Sequence, residues 1–176
     1  MRRPDGAALD ADDRGDGPRL RSMTVADLDA VLAIEEASFR TPWRREHFLQ
    51  ELRENRDAVN VILEESGKVL GYACVWYLID ELKVNNIAVA PPHRGRGLGR
   101  WMMLRLLRRA LDAGCRRVEL EVRPTNLAAI RLYRGLGLVE CGRWANYYAQ
   151  DGEDAVVMKG TIADLLDFRG EDPGPR

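Results

Sequence analysis

The sequence predicts a mixed α/β (α+β) domain, one sheet with helices on both of its faces. Three observations predict it. Short runs rich in Val, Ile, Leu, Tyr and Trp at 58–65, 69–79, 82–90 and 117–123 have the length and composition of strands. Segments 99–112 and 127–136 instead repeat apolar residues every three or four positions, the period of an amphipathic helix. Sequential strands stand next to strand–helix–strand units, and that combination makes a mixed sheet.

The elements follow in order. Residues 1–18 hold three Arg and five Asp with almost no apolar bulk, so this extension is expected to be disordered. Arg19–Ser22 reads as a short first strand. Thr24 to Asp27 resembles a capping box with Asp in place of Glu. Leu28, Val31, Leu32 and Ala33 then mark a helix running towards Phe39. Thr41-Pro42 reads as N-cap and first residue of a second helix, whose apolar side is Phe48, Leu49 and Leu52. Segments 58–65 and 69–79 meet at Glu65-Ser66-Gly67-Lys68, the chemistry of a hairpin turn.

The strand at 82–90 ends at Pro91-Pro92, which have no N–H to give a ladder. Its helix buries Met103, Leu104, Leu107, Ala110 and Leu111 and stops near Gly114. In 117–123, Val118, Leu120 and Val122 alternate with Arg117, Glu119, Glu121 and Arg123, giving one polar face. Thr125-Asn126 caps a helix that Gly135 and Gly137 close. Segments 138–143 and 155–160 read as the last strands, joined by a loop at 144–154. Residues 161–176 are expected to form a short helix and a loose tail. No repeat or linker divides 19–160, which is expected to be one domain.

Composition excludes several functions. The formal net charge is −1, so nothing attracts nucleic acid in bulk. Cys74, Cys115 and Cys141 are far apart with no CxxC pair, which argues against a disulfide framework or a metal site and for a reducing cytoplasm. The cysteines are expected to be small buried residues. His47 and His93 are the only histidines, so a histidine-based triad has little to draw on. No apolar run approaches the ~20 residues that span a bilayer, and the polar N-terminus is not a signal peptide.

The most informative stretch is Arg94-Gly95-Arg96-Gly97-Leu98-Gly99-Arg100, between strand and helix. Its glycines let the backbone curl close to a ligand. Turn and helix N–H groups then converge on one spot where the helix dipole favours an anion. Arg94, Arg96 and Arg100 add positive charge. The Rossmann fingerprint is excluded by Arg100 at its last glycine position, and the Walker pattern by the absence of Gly-Lys-Ser/Thr. The alternative is an ordinary glycine-rich turn with solvated arginines.

Arg-x-x-Gly-x-Gly after a strand resembles the acetyl-coenzyme A motif of the GCN5-related N-acetyltransferase (GNAT) superfamily. Asn86-Ile87-Ala88-Val89, Leu120-Glu121-Val122-Arg123, Asn126, Ala129-Ile130, Leu132-Tyr133, Asn146-Tyr147-Tyr148 and Pro42-Trp43 are further similar to the RimI family within it. Its members acetylate the N-terminal alanine of a small-subunit ribosomal protein. The resemblance covers roughly 19–160 and implies a GNAT fold, a mostly antiparallel mixed sheet splayed between two central parallel strands. It implies acetyl-CoA as co-substrate, no metal, and an N-terminal peptide of a ribosomal protein as partner. It also implies roles. Glu121 is the base for the attacking amine and Tyr133 the proton donor to the departing thiolate. Ile87, Ala88 and Val89 offer backbone to the acetyl and pantetheine part. Arg94, Gly95, Arg96, Gly97, Leu98, Gly99 and Arg100 hold the pyrophosphate, and Asn126 binds the cofactor.

Read without the resemblance, Glu119 and Glu121 are solvated strand residues, Tyr133 lies at the core edge and Asn126 is a cap. Tyr147 and Tyr148 pack or line a peptide groove, and Trp43 and Phe39 are core or groove wall. A lysine, polyamine or antibiotic amine as acceptor, and a non-catalytic acyl-CoA module, are the alternatives. The oligomeric state is not written in the sequence, although such domains act as monomers.

Overall fold

The computed structural model describes residues 17–167. Of the disorder expected at 1–18, residues 1–16 lie outside the described residues, as does the tail expected at 169–176. Seven strands form one sheet in the order β1-β2-β3-β4-β5-β7-β6. The strands are β1 (Arg19–Ser22), β2 (Ala58–Glu65), β3 (Lys68–Leu78), β4 (Glu81–Val89), β5 (Arg117–Val122), β6 (Val139–Tyr148) and β7 (Glu153–Thr161). The helices are α1 (Leu28–Ser38), α2 (Arg45–Arg53), α3 (Leu98–Asp112), α4 (Leu127–Leu136) and α5 (Ile162–Asp167). Every neighbouring pair is antiparallel except β4 and β5, the parallel pair at the centre.

Each face of the sheet carries its own core. On one face Leu63, Leu70, Val75, Leu82, Val118, Leu120 and Val122 pack with the apolar side of α3, including Met103, Leu106, Leu107 and Ala110, and with α4 and α5. On the other, Ile62, Tyr72, Cys74 and Ala88 pack against Leu28, Val31 and Ile34 of α1 and Phe48 of α2. Helices on both faces are what the mixed periodicities require.

The β2–β3 turn has only Ser66 and Gly67 between its strands, at φ 51° and 76°. Positive φ at both positions matches the right-handed twist of a hairpin. Close packing at the sheet centre requires glycine at 71, since a Cβ there would stand 2.5 Å from the Ala88 carbonyl oxygen.

An irregularity in β4 sets up everything that follows. The β3–β4 register runs Val75↔Val84 and then Cys74↔Asn86, so Asn85 is an extra residue. Such a bulge reverses the inward–outward alternation of the residues beyond it. Leu82 and Val84 face the α3 side. After the bulge Asn86 and Ala88 face α1, while Ile87 and Val89 pack on the α3 side. The β4–β5 ladder runs only from Glu81↔Arg117 to Val84↔Leu120. Past that point the two parallel strands separate, the splay the resemblance implies.

Three expectations are corrected. Helix α2 begins at Arg45 with Arg44 as its N-cap, not at Thr41-Pro42. The Thr41 hydroxyl bonds Asp151 and the Trp43 N–H bonds Glu35, so both groups are engaged elsewhere. Strand β6 continues to Tyr148, so much of the loop expected at 144–154 is strand, bent by irregular pairing between Trp144 and Tyr148. Cys141 lies exposed on β6, while Cys74 and Cys115 are buried.

Candidate active site

The splay opens a cleft of about 1490 Å³. Residues 84–87 of β4 line one wall and 120–123 of β5 the other; α1, the 39–47 segment, α4 and Tyr147–Asp151 complete it. Glu121 projects from the α1 side of β5, and Tyr133 belongs to the core on the α4 side. They meet because the cleft passes between the separated strands, and both side chains line it. Ile87 and Asn126 line it too.

The glycine turn lies just past the end of β4. Gly95 and Gly97 have φ of 80° and 82°, and a Cβ on either would meet nothing within 4 Å. Their conformation demands glycine, and the space above them is open to a ligand. Helix α3 starts at Leu98 with Gly97 as N-cap and no side chain capping it. Its first N–H groups are therefore presented as anion donors. A curled backbone, open space and an uncapped helix end fit a diphosphate.

Arg94 and Arg96 have partners within the protein. Arg94 donates to the Val89 carbonyl at 2.8 Å and to Ser38 Oγ at 2.7 Å. Arg96 forms a fork on Glu65 with bonds of 2.9 and 3.1 Å. Both side chains brace the turn, whose backbone N–H groups add donors of their own. Asn126 is the N-cap of α4, accepting the Ala129 N–H at 3.2 Å. Leu98 is buried beneath the turn, and Ala88 faces the α1 core.

Glu121 is held by Lys83, whose Nζ lies 2.5 Å from Glu121 Oε1 and 2.6 Å from Glu119 Oε1. Burial pulls the Lys83 ammonium down, but the two carboxylates outweigh it, and its pKa ends above the usual lysine value. Glu119 also pairs with Lys159. Burial pushes the Tyr133 phenol well above the ordinary tyrosine range, so it stays protonated at working pH. Tyr148 is pushed up to about 12, chiefly by burial.

Several cleft residues were not foreseen. Glu35, 1% exposed, accepts the Trp43 N–H at 2.7 Å and Asn86 Nδ2 at 3.1 Å, and takes a bond from the Tyr72 hydroxyl. Arg123 pairs with Asp151 at 2.7 Å and Glu153 at 2.8 Å, and its guanidinium lies 3.8 Å from the Tyr148 ring centre. Thr41 donates to the same Asp151 at 2.7 Å. The 39–44 segment is thus tied to the β6–β7 turn across the cleft. Asn85, the bulge residue, lines the cleft with a buried Nδ2 that has no hydrogen-bond partner among the described residues. Glu35 had a sequence signal, since it stands seven residues after Leu28 on the apolar side of α1. Lys83 had none, because its partners depend on which strand lies beside β4.

Comparison with known proteins agrees with this geometry. The model of the acetyltransferase (GNAT) family matches residues 28–138. The Escherichia coli (strain K12) ribosomal protein bS18-alanine N-acetyltransferase is 36% identical over 141 residues, 79% of this chain and 94% of that one. A Bacillus subtilis (strain 168) protein, provisionally given the same name, is 37% identical over 143 residues, 81% of this chain and 95% of that one. The crystal structure of the E. coli ribosomal-protein-S18-alanine N-acetyltransferase superposes with a TM-score of 0.75 at 34% identity, over 83% of this chain and 94% of that one. Ard1 from Thermoplasma volcanium gives 0.75 at 26% identity, over 82% and 97%. With the family's model matching more than half its length, and relatives more than a third identical along most of both sequences, the chain belongs to the GNAT acetyltransferases.

Proposed function

We propose that this chain is a cytoplasmic enzyme that acetylates the α-amine of a protein N-terminus, with acetyl-CoA as donor and the N-terminal alanine of ribosomal protein bS18 as acceptor. The names of the E. coli relatives support the acceptor. The observation that carries the chemistry is the splay past Val84 and Leu120, which brings Glu121 and Tyr133 to one cleft.

The backbone of 95–99 and the start of α3 would hold the diphosphate, and the 87–89 edge freed from β5 would face the acyl arm. When bound, acetyl-CoA supplies an acyl group activated as a thioester. A peptide α-amine, with a pKa of ~8, is mostly protonated near neutrality. Glu121 takes its proton, directly or through water. Tyr133 serves the sulfur side. A thiol has a pKa of ~8.5, below the raised Tyr133 phenol, so complete proton transfer from Tyr133 would run uphill. Its O–H instead donates a hydrogen bond as charge builds on sulfur, and the second proton that the nitrogen loses as the amide forms goes to the departing thiolate. Backbone N–H groups of the freed β4 edge offer donors to the carbonyl oxygen. This is a direct transfer with no covalent enzyme intermediate.

The test offers acetyl-CoA with a peptide bearing the bS18 N-terminus, the same peptide blocked at its α-amine but carrying lysine, and spermidine. Acetylation confined to the first supports the assignment. Acetylation confined to lysine or spermidine contradicts it.

A further inference from the structure

Lys83 is set apart from the other cations of the cleft by what it touches. Its Nζ bridges Glu121 and Glu119, at 2.5 and 2.6 Å, with only 15% of its side chain exposed. Glu121 Oε1 is the bonded atom, which leaves the second carboxylate oxygen for the cleft. Three strands build the arrangement. Lys83 and Glu119 are register partners across the parallel β4–β5 ladder, in its last two pairs before the splay. Glu119 and Lys159 are register partners across β5–β7. The charges alternate along the sheet as Glu121, Lys83, Glu119, Lys159.

We propose that Lys83 is a positioning residue for the transfer reaction, which pins one oxygen of Glu121 and so fixes the carboxylate that accepts the amine proton, while Glu119 shares the ammonium and holds Lys83 in place. This inference rests on the acceptor reading above only for what Glu121 does in turnover. Charge-assisted bonds from one ammonium to two carboxylates, at 2.5 and 2.6 Å, fix the orientation of all three side chains. Lys83 stays protonated throughout, its pKa being raised. The other titratable groups facing Glu121 are Tyr147 and Tyr148 on β6, both neutral, and Glu51 of α2 across a side cavity of about 270 Å³. Arg123, on the same face of β5, is turned to Asp151 and Glu153. Glu35 of α1 is turned to Tyr72 and Asn86. Lys83 is the cation paired with Glu121 among the described residues.

In full-length protein carrying ¹³C-labelled glutamate, the Glu121 side-chain resonance is assigned by its loss in Glu121→Gln, and its order is measured by NMR relaxation at one pH with no acceptor present. Lys83→Met lowers the order of that side chain, and Lys83→Arg keeps it near that of the unaltered chain. Peptide turnover falls roughly tenfold in Lys83→Met and recovers in Lys83→Arg, with acetyl-CoA affinity unchanged. Equal order in the unaltered and Lys83→Met proteins overturns the proposal. If Lys83→Met does not fold, Lys83→Gln is read in its place. If the unaltered chain acetylates no peptide, the acceptor assignment falls and the relaxation measurement still judges Lys83.

Discussion

Glu35 accepts the backbone N–H of Trp43 at 2.7 Å, so a buried carboxyl of α1 fixes the 39–47 segment that walls the cleft. Burial raises its pKa to about 7, against the pull of the bonds from Trp43 and Asn86. A raised carboxyl pKa means the fold favours the neutral form. Its contribution to stability is complete below the ordinary glutamate value of 4.5, which the unfolded chain keeps, and is lost as pH rises through about 7. Denaturant unfolding of Glu35→Gln against the unaltered protein tests this. The stability difference should move in favour of Glu35→Gln across that window, by a few kcal/mol at most, since each tenfold change in proton affinity is worth ~1.4 kcal/mol. A constant difference would show that Glu35 does not titrate there.

At Gly97, φ of 82° and open space above the Cβ position separate stability from binding. Gly97→Ala should cost about 1–2 kcal/mol of stability through left-handed strain. It should also weaken acetyl-CoA binding roughly tenfold by crowding the close approach. Thermal unfolding and calorimetric titration read the two effects. Unchanged affinity would place the diphosphate elsewhere.

The tie from Thr41 through Asp151 to Arg123 closes the cleft between the 39–44 segment and the β6–β7 turn. Asp151→Ala removes the anchor of the Thr41 hydroxyl and leaves Arg123 on Glu153. The KM for the N-terminal peptide should rise roughly tenfold with kcat little changed, the pattern of lost uniform binding. Steady-state kinetics with acetyl-CoA saturating measures it, and a fall in kcat with KM unchanged would contradict it.

Much of this was legible in the sequence because local chemistry decided it. The hairpin at Ser66-Gly67, the cap at Asn126 and the glycine turn before α3 each depend on residues within a few positions. The polar face of β5 carrying Glu119 and Glu121 followed from a simple alternation. Features set by distant partners were not legible. Thr41-Pro42 has the local form of a helix start, yet Asp151 and Glu35 draw that segment out of the helix. The pairing of Arg96 with Glu65 depends on β2 lying beside the turn. The bulge at Asn85 has no local signature, since it depends on how β4 meets β3. Lys83 acquires its importance only when β5 lies next to β4.

In the proposed reaction, Glu121 and Tyr133 serve one transfer event from opposite sides of the splay. Single-turnover acetylation of the N-terminal alanine peptide by Glu121→Gln and by Tyr133→Phe, alongside acetyl-CoA affinity in each variant, tests this most directly. Each substitution should slow the transfer by roughly 10²–10⁴-fold while affinity stays within a factor of about three. Transfer rates in both variants equal to that of the unaltered chain would contradict it.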